Sequence, residues 1–235
     1  AVTNGTAEPK TGTVAAGTEY YSNPSRKVMA FPAQSIFVAG KPYTGYCMDS
    51  AGILYAVANG IAEPETGTVD AGTAYYNFSA SKTEVLPAQA LFVEGKIYTG
   101  YYLGPDKKLY YAKKGACTLK TGSVKAGAKY YSSRAKTFLQ VKKQTLYVKG
   151  NVYTGYYMSQ PKKMYYVKKG TQALKTGMVK AGVKYYSYRA KTFLQVKKQA
   201  LYVKGKVYTG FYMSQSKKMN QVKKGTRTLV TGMLK

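Results

Sequence analysis

Few residues in this chain can move a proton or hold a metal. Its 235 residues include no His, which removes the commonest general base and the commonest metal ligand. The nine acidic residues are scattered, with Glu63 and Glu65 the one close pair. They lie in Ala62-Glu63-Pro64-Glu65, which its proline marks as a loop, with no histidine to complete an acid–base site. Cys47 and Cys117 stand far apart in the chain and read as inert thiols; two such positions make no disulfide framework. A zinc site needs four ligands, and the sequence offers no such set. These observations predict no catalytic residue, no metal, no cofactor and no enzyme activity.

Two other residue types are abundant. Lys and Arg number 37, and the formal net charge is +28. Residues 1–110 hold eight basic side chains and all nine acidic ones, whereas residues 111–235 hold 29 basic side chains and no acid. Charge of one sign repels itself, and a bound polyanion relieves that repulsion. Only four of the basic residues are Arg. Lys meets phosphate as a point charge, while base reading favours the bidentate Arg fork, so sequence-specific nucleic-acid binding is not expected. Teichoic acid phosphates, anionic glycans or a wall surface fit better. Lys162-Lys163 with Lys217-Lys218, and Lys168-Lys169 with Lys223-Lys224, repeat at a spacing of 55 and are the predicted ligand-binding stripes.

The second type is Tyr, with 26 copies beside seven Phe and no Trp. Many come as doublets, such as Tyr130-Tyr131 and Tyr156-Tyr157. Neighbours in a strand point to opposite faces, so one ring of each doublet should enter the core and the other should face outward. Outward rings suit the flat faces of sugars. Tyr101, Tyr110, Tyr130, Tyr156, Tyr165 and Tyr185 are the predicted stacking residues.

The elements that position these residues follow from a repeat. Tyr-Thr-Gly occurs at Tyr43, Tyr98, Tyr153 and Tyr208, at a constant spacing of 55. The units are 11–65, 66–120, 121–175 and 176–230, with 1–10 matching the tail of a preceding repeat (Asn4-Gly5 against Asn59-Gly60) and 231–235 the start of a further one. The chain is expected to belong to a longer array. Within the third unit, Val124–Tyr131 reads as two short strands around the Gly127 turn, and Leu146–Tyr153 as a tight hairpin around Gly150. Tyr156–Met158 and Met164–Val167 flank a loop containing Pro161. No helix is expected, and no apolar run approaches the ~20 residues that cross a bilayer. A lone hairpin is marginal in water. The predicted fold is therefore all-β, a solenoid of stacked short hairpins. A four-bladed propeller, with one repeat per blade, is the alternative.

The run Thr154-Gly155-Tyr156-Tyr157, Met164-Tyr165-Tyr166-Val167-Lys168-Lys169-Gly170, Thr176-Gly177 resembles the choline-binding and glucan-binding cell-wall repeats. It is similar in style to the receptor-binding repeats of clostridial toxins. The resemblance implies a hairpin solenoid, secreted and held on the surface or cell wall of a Gram-positive bacterium, binding wall polymers or sugars between hairpins. The choline pockets of that family use Trp, which this chain lacks. The second doublet is replaced by Asn220-Gln221 in the last unit.

The function expected from all this is non-catalytic anchoring or adhesion, with lysine ladders and exposed tyrosines holding an anionic cell-wall polymer or surface glycan. A passive spacer or surface fibre without ligand, and non-specific nucleic-acid binding, are the alternatives. Calorimetry with choline should show weak or no binding, because a cage without Trp surrounded by lysines disfavours a cation; tight saturable binding would refute this.

Overall fold

The structure is a computed structural model that describes residues 2–3 and 6–231. The Asn4-Gly5 match and residues 232–235 of the further repeat lie outside the described residues. The chain forms two compact units, Ala1–Tyr102 with Tyr111–Thr118, and Leu103–Tyr110 with Leu119–Lys235.

Both units are all-β, with no helix among the described residues. The third repeat runs Gly122–Val124, Lys129–Ser132, Thr137–Gln140, Thr145–Val148, Asn151–Val152, Gly155–Met158, Met164–Lys168 and Thr171–Leu174. The same eight strands recur one period later, from Gly177–Val179 to Thr226–Leu229, and in the first unit from Gly12–Val14 to Ile61–Pro64. This is the short-hairpin repeat of an all-β solenoid. The sheets among the described residues are hairpins and three-stranded or larger sheets, and none is a four-stranded blade.

The tight hairpin around Gly150 forms as its sequence demands. Lys149 and Gly150 sit at φ +48° and +79°, a turn whose twist matches the flanking strands. Tyr147 pairs with Val152 and Val148 with Asn151. The Tyr156–Val167 hairpin also forms, with Tyr156 opposite Tyr166 and Tyr157 opposite Tyr165.

Two local readings are corrected. Val124 and Tyr131 do not belong to one hairpin: Gly122–Val124 pairs with Thr145–Val148, and Lys129–Ser132 with Thr137–Gln140. A local hairpin would set Val124 opposite Lys129 at the surface, whereas the long-range pairing buries both Val124 and Leu146. Ala62-Glu63-Pro64 is not a loop, because Ile61–Pro64 is a strand antiparallel to Leu54–Ala58. Its proline breaks no bond to that partner: Ala62 N donates to Gln34 O, so the Pro64 nitrogen two residues on faces away from Leu54–Ala58.

Neighbouring hairpins are locked through closed rings of three backbone hydrogen bonds. In the second unit Leu146 N donates to Gly170 O (2.8 Å), Gly170 N to Tyr153 O (2.8 Å), and Tyr153 N to Leu146 O (3.0 Å). The next ring joins Met164, Gly205 and Lys175 at 2.8, 2.8 and 2.9 Å. The first unit repeats the device at Ile36, Gly60 and Tyr43. Glycine is required here twice over. Gly205 has φ +78°, and a Cβ on it would lie 2.8 Å from the Met164 carbonyl oxygen and 2.8 Å from Leu174 Cδ2.

The core of the second unit lies on both faces of one sheet, ordered Thr171–Leu174, Met164–Lys168, Gly155–Met158, Lys184–Ser187, Thr192–Gln195. Its central pair, Gly155–Met158 with Lys184–Ser187, is parallel. On one face Tyr157, Val167 and Tyr186 pack with Leu146 and Val148. The Tyr157 and Tyr186 rings lie parallel, 6.4 Å apart. On the other face Met164 packs with Val179, Val196 and Tyr202, joined by Tyr156, Met158 and Tyr185.

Gly205→Ala should lower stability by roughly 2–4 kcal/mol, from a left-handed β-carbon plus a clash with backbone. Gly182→Ala, at φ +79° but with nothing within 4 Å, should lower it only by about 1 kcal/mol. Equal losses in urea melts would show that the close approach at the ring is not what selects glycine. The folded state should also weaken in alkali. Burial disfavours the phenolate and raises the Tyr157 pKa, helped by Tyr188, Tyr186 and Tyr165; burial likewise raises Tyr147, Tyr153 and Tyr202. Their stabilisation is complete below the unfolded tyrosine pKa of about 10 and is lost as pH rises through the folded values. Urea midpoints in 1 M salt, where lysine repulsion is screened within about 3 Å, should fall from pH 9 to pH 11; a flat profile would contradict this.

Candidate anion-binding surface

A residue with positive φ is normally Gly or Asn, because a β-carbon crowds the backbone there. In its later part this chain breaks that rule with one residue type. From residue 107 onward, every described non-glycine residue of positive φ is Lys: 107, 114, 136, 149, 162, 169, 191, 204, 217 and 224, at φ from 46° to 62°. All ten are exposed. The corresponding slots earlier in the chain hold Arg26, Ala39, Asn59, Ser81 and Glu94. A left-handed lysine costs about 1 kcal/mol against glycine. Backbone preference therefore does not account for lysine at these turns.

The Thr-Gly signals hold four of those turns in the second unit. The backbone N–H of Lys149, Lys169, Lys204 and Lys224 donates to the hydroxyls of Thr121, Thr154, Thr176 and Thr209 at 3.0, 2.9, 3.1 and 3.0 Å. The preceding tyrosine is structural too: Tyr153 Oη donates to the Tyr156 carbonyl at 2.8 Å, its ring lying where a β-carbon on Gly155 would be. The Tyr-Thr-Gly motif thus clamps a turn.

Of the predicted stripe residues, Lys163 is half-buried and Lys162, Lys168, Lys169, Lys217, Lys218, Lys223 and Lys224 are exposed. Lys162-Lys163 and Lys168-Lys169 lie at opposite ends of strand Met164–Lys168, roughly 17 Å apart by strand rise, so they form separate patches. Two ion pairs, Lys82–Glu84 and Lys108–Asp106, both at 3.4 Å, lie before residue 109.

The structure draws lysines into clefts that the sequence did not reveal. Lys163, Lys204 and Lys206 line a cleft of about 540 Å³ with an apolar floor of Leu174, Val203 and Val207. Lys218 and Arg227 line another of about 360 Å³ with Ser214, Ser216, Asn220 and Thr226. Arg227 also lies 6.0 Å from the centre of the Tyr212 ring. A cation with hydroxyl and amide donors is a set suited to phosphate or carboxylate. The sequence signal for the first cleft is Lys204-Gly205-Lys206, one period after the Gly150 turn.

The tyrosines expected to face outward are half-buried instead. Tyr156 and Tyr185 pack against the Met164 cluster, since the sheet carrying them is covered on both faces. Tyr165 turns inward because register sets it opposite the buried Tyr157, and its neighbour Tyr166 is the exposed ring. Tyr110 donates its hydroxyl to Asp106 Oδ2 at 2.7 Å, while Tyr111 is exposed. Tyr101 packs edge-on to Tyr111 at 5.3 Å, and Tyr130 sits opposite Leu139. The accessible rings of the second unit are Phe138, Tyr166, Tyr188, Phe193 and Phe211.

Several of the acidic residues have local partners. Asp49 accepts N–H from Ala51 and Ile53 at 2.9 and 2.8 Å, closing a turn. Glu84 accepts from Asn77 and Tyr75 at 2.8 and 3.0 Å, hydrogen bonds that hold its pKa below the usual carboxylate value. Cys47 is buried and its thiol is pushed up to about 12 by burial, with Asp49 adding to the shift.

No family model and no curated protein matches the chain. The chain resembles solved choline-binding proteins of Streptococcus pneumoniae. It is 14% identical to CbpJ, covering 93% of this chain and 88% of that one, with a TM-score of 0.25. It is 14% identical to choline binding protein F, solved in the presence of a peptidoglycan analogue, covering 94% and 89%, again with a TM-score of 0.25.

Proposed function

We propose that this chain is a non-catalytic binding module that holds its protein on an anionic polymer of a bacterial cell surface or wall. The carrying observation is that lysine is the one non-glycine residue type at the described left-handed positions from residue 107 onward, in a stretch that contains no acid after Asp106. Charge is placed at hairpin tips against the backbone's own preference, and the sequence after Asp106 supplies no acid to balance it. A polymer of phosphates or carboxylates would supply the missing counter-charge. The clefts around Lys163, Lys204 and Lys206, and around Lys218 and Arg227, would seat its groups, with Tyr166 and Tyr188 as accessible rings beside sugars. A location outside the cell, at the wall, agrees with this reading, and choline binding protein F was solved in the presence of a peptidoglycan analogue. The argument rests on the lysines, because so distant a likeness carries none.

Asparagine tolerates left-handed φ better than lysine does, which separates binding from folding. Changing Lys162, Lys169, Lys217 and Lys224 to Asn should leave the melting temperature unchanged or raised. Affinity for purified teichoic acid should fall, and the slope of log K against log salt should flatten by roughly 0.7 for each lysine–phosphate pair removed. Unchanged affinity, or binding indifferent to salt, would make the lysines a solubility feature. Equal affinity for DNA of matched charge would favour the nucleic-acid alternative.

A further inference from the structure

Two strands of the second unit, Thr137–Gln140 and Thr192–Gln195, are outermost in their sheets and exposed at every residue. Thr192–Gln195 pairs only with Lys184–Ser187 among the described residues. Just beyond it, Val196 N donates to Val183 O at 3.0 Å. Antiparallel pairs alternate between bonded and non-bonded, so the N–H and C=O of Phe193 and Gln195 lie on the open edge. Phe138 and Leu139, which a complete further repeat follows, are 45% and 39% exposed; Phe193 and Leu194 are 47% and 38% exposed. A following repeat does not cover this edge, so its exposure belongs to the repeat itself.

The corresponding strands of the first unit carry devices that stop an edge from pairing. Lys82 and Glu84 lie in Lys82–Val85, Lys27 lies in Lys27–Ala30, and Pro87 and Pro32 follow two residues beyond. Charges and prolines of this kind blunt an edge. In the second unit Thr, Phe, Leu and Gln fill the same four strand positions, and Lys142 and Lys197 replace the prolines. The strand loses charge where its flanks gain it. Its rings are held in place, Phe193 edge-on to Tyr186 at 5.2 Å and Phe138 edge-on to Tyr131 at 5.1 Å. Phe193, Leu194 and Gln195 line a cleft of about 540 Å³ together with Lys184. Lys191 precedes the strand and Lys197-Lys198 follow it, all exposed. These lysines repel a second copy of the same edge, which would bring its own lysines beside them. A polysaccharide or polyphosphate has no alternating amide donors and acceptors to meet the strand. An acidic peptide meets both the edge and its flanks.

We propose that Thr137–Gln140 and Thr192–Gln195 each take an extended acidic segment of another protein as an added strand. At the second edge the segment's backbone pairs with the N–H and C=O groups of Phe193 and Gln195. Its apolar side chains lie on Phe193 and Leu194, and its carboxylates meet Lys184, Lys191, Lys197 and Lys198. The first edge has the same strand sequence, with Lys129, Lys136, Lys142 and Lys143 in the equivalent places. This inference does not rest on polyanion binding. Lys162, Lys169, Lys217 and Lys224, whose replacement tests that reading, are none of these lysines, so either proposal can fail alone.

The test is isothermal titration calorimetry of the 235-residue chain in about 0.15 M salt. The probe is a capped peptide of alternating Val and Thr, about six residues long as an ordinary strand is, with a pair of Glu at each end. Two peptides should bind per chain, and a labelled peptide carbonyl should show the infrared shift of strand coupling. Methylating alternate backbone nitrogens of the peptide keeps its charge and side chains but removes the ladder. Binding should then weaken roughly tenfold or more, since each lost hydrogen bond is worth about fivefold. Gln195→Pro removes an outward N–H and no hairpin bond, so it should leave one site; adding Gln140→Pro should leave none. Edge strands accept proline at such positions, so the melting temperature should hold. Should the proline variants fail to fold, Phe138→Thr, Leu139→Glu, Phe193→Thr and Leu194→Glu carry the same test, because Thr83-Glu84 fill those positions in the first unit. No binding, equal binding of the methylated peptide, or binding unchanged by the substitutions would overturn the proposal. So would dimerisation of the chain alone that the same prolines abolish, which would assign the edge to a second copy.

Discussion

The closed ring of three backbone hydrogen bonds is the constraint on which the rest of the structure depends. In the ring of Leu146, Tyr153 and Gly170, each residue donates to one neighbour and accepts from the other. Hairpins as short as these leave many N–H and C=O groups at their ends, and burying such groups without partners is costly. The ring satisfies three donors and three acceptors at once. It does so only where a turn brings its backbone against the neighbouring hairpin, which excludes a β-carbon at the glycine. Glycine at the tip, threonine gripping the residue before it and tyrosine folded over the Thr-Gly step are parts of one joint.

That joint also explains how the chain tolerates its charge. Strand interiors are committed to Tyr, Val, Leu and Met, buried on both faces of the five-stranded sheet. Turns are committed by backbone geometry, but the residue preceding the tip glycine is free in its side chain. Ala39, Glu94, Lys149 and Lys204 occupy equivalent turns at φ from 46° to 52°. The repeat can therefore change from near-neutral to strongly basic without altering its packing, since the substitutions fall on exposed turns and strand ends.

The tyrosine doublets show the opposite case, in which side chains are not free. Alternation along a strand predicts one inward and one outward ring. It does not say whether a second layer covers the outward face. Here one does, so Tyr156 and Tyr185 are packing residues of one cluster as Tyr157 and Tyr186 are of another. Aromatic surface accessible to a ligand is left to strand partners such as Tyr166 and Phe193.

The sequence by itself determined the period, the absence of helix, the tight hairpins at Lys149-Gly150 and Tyr156–Val167, and the separation of acidic from basic residues. Each of these depends on local chemistry: a glycine that permits positive φ, an alternation that suits a strand, a count of charges. Tertiary structure decided that Val124 pairs with Thr145–Val148 rather than with its neighbour across Gly127, and that Glu63-Pro64 continues a strand. It also decided that Tyr165 rather than Tyr166 turns inward, and that Lys163 meets Lys204 and Lys206 around one cleft. These outcomes depend on register and on pairings between segments distant in the chain. A repeating pattern offers several local pairings of similar merit, and only burial of the shared core chooses among them.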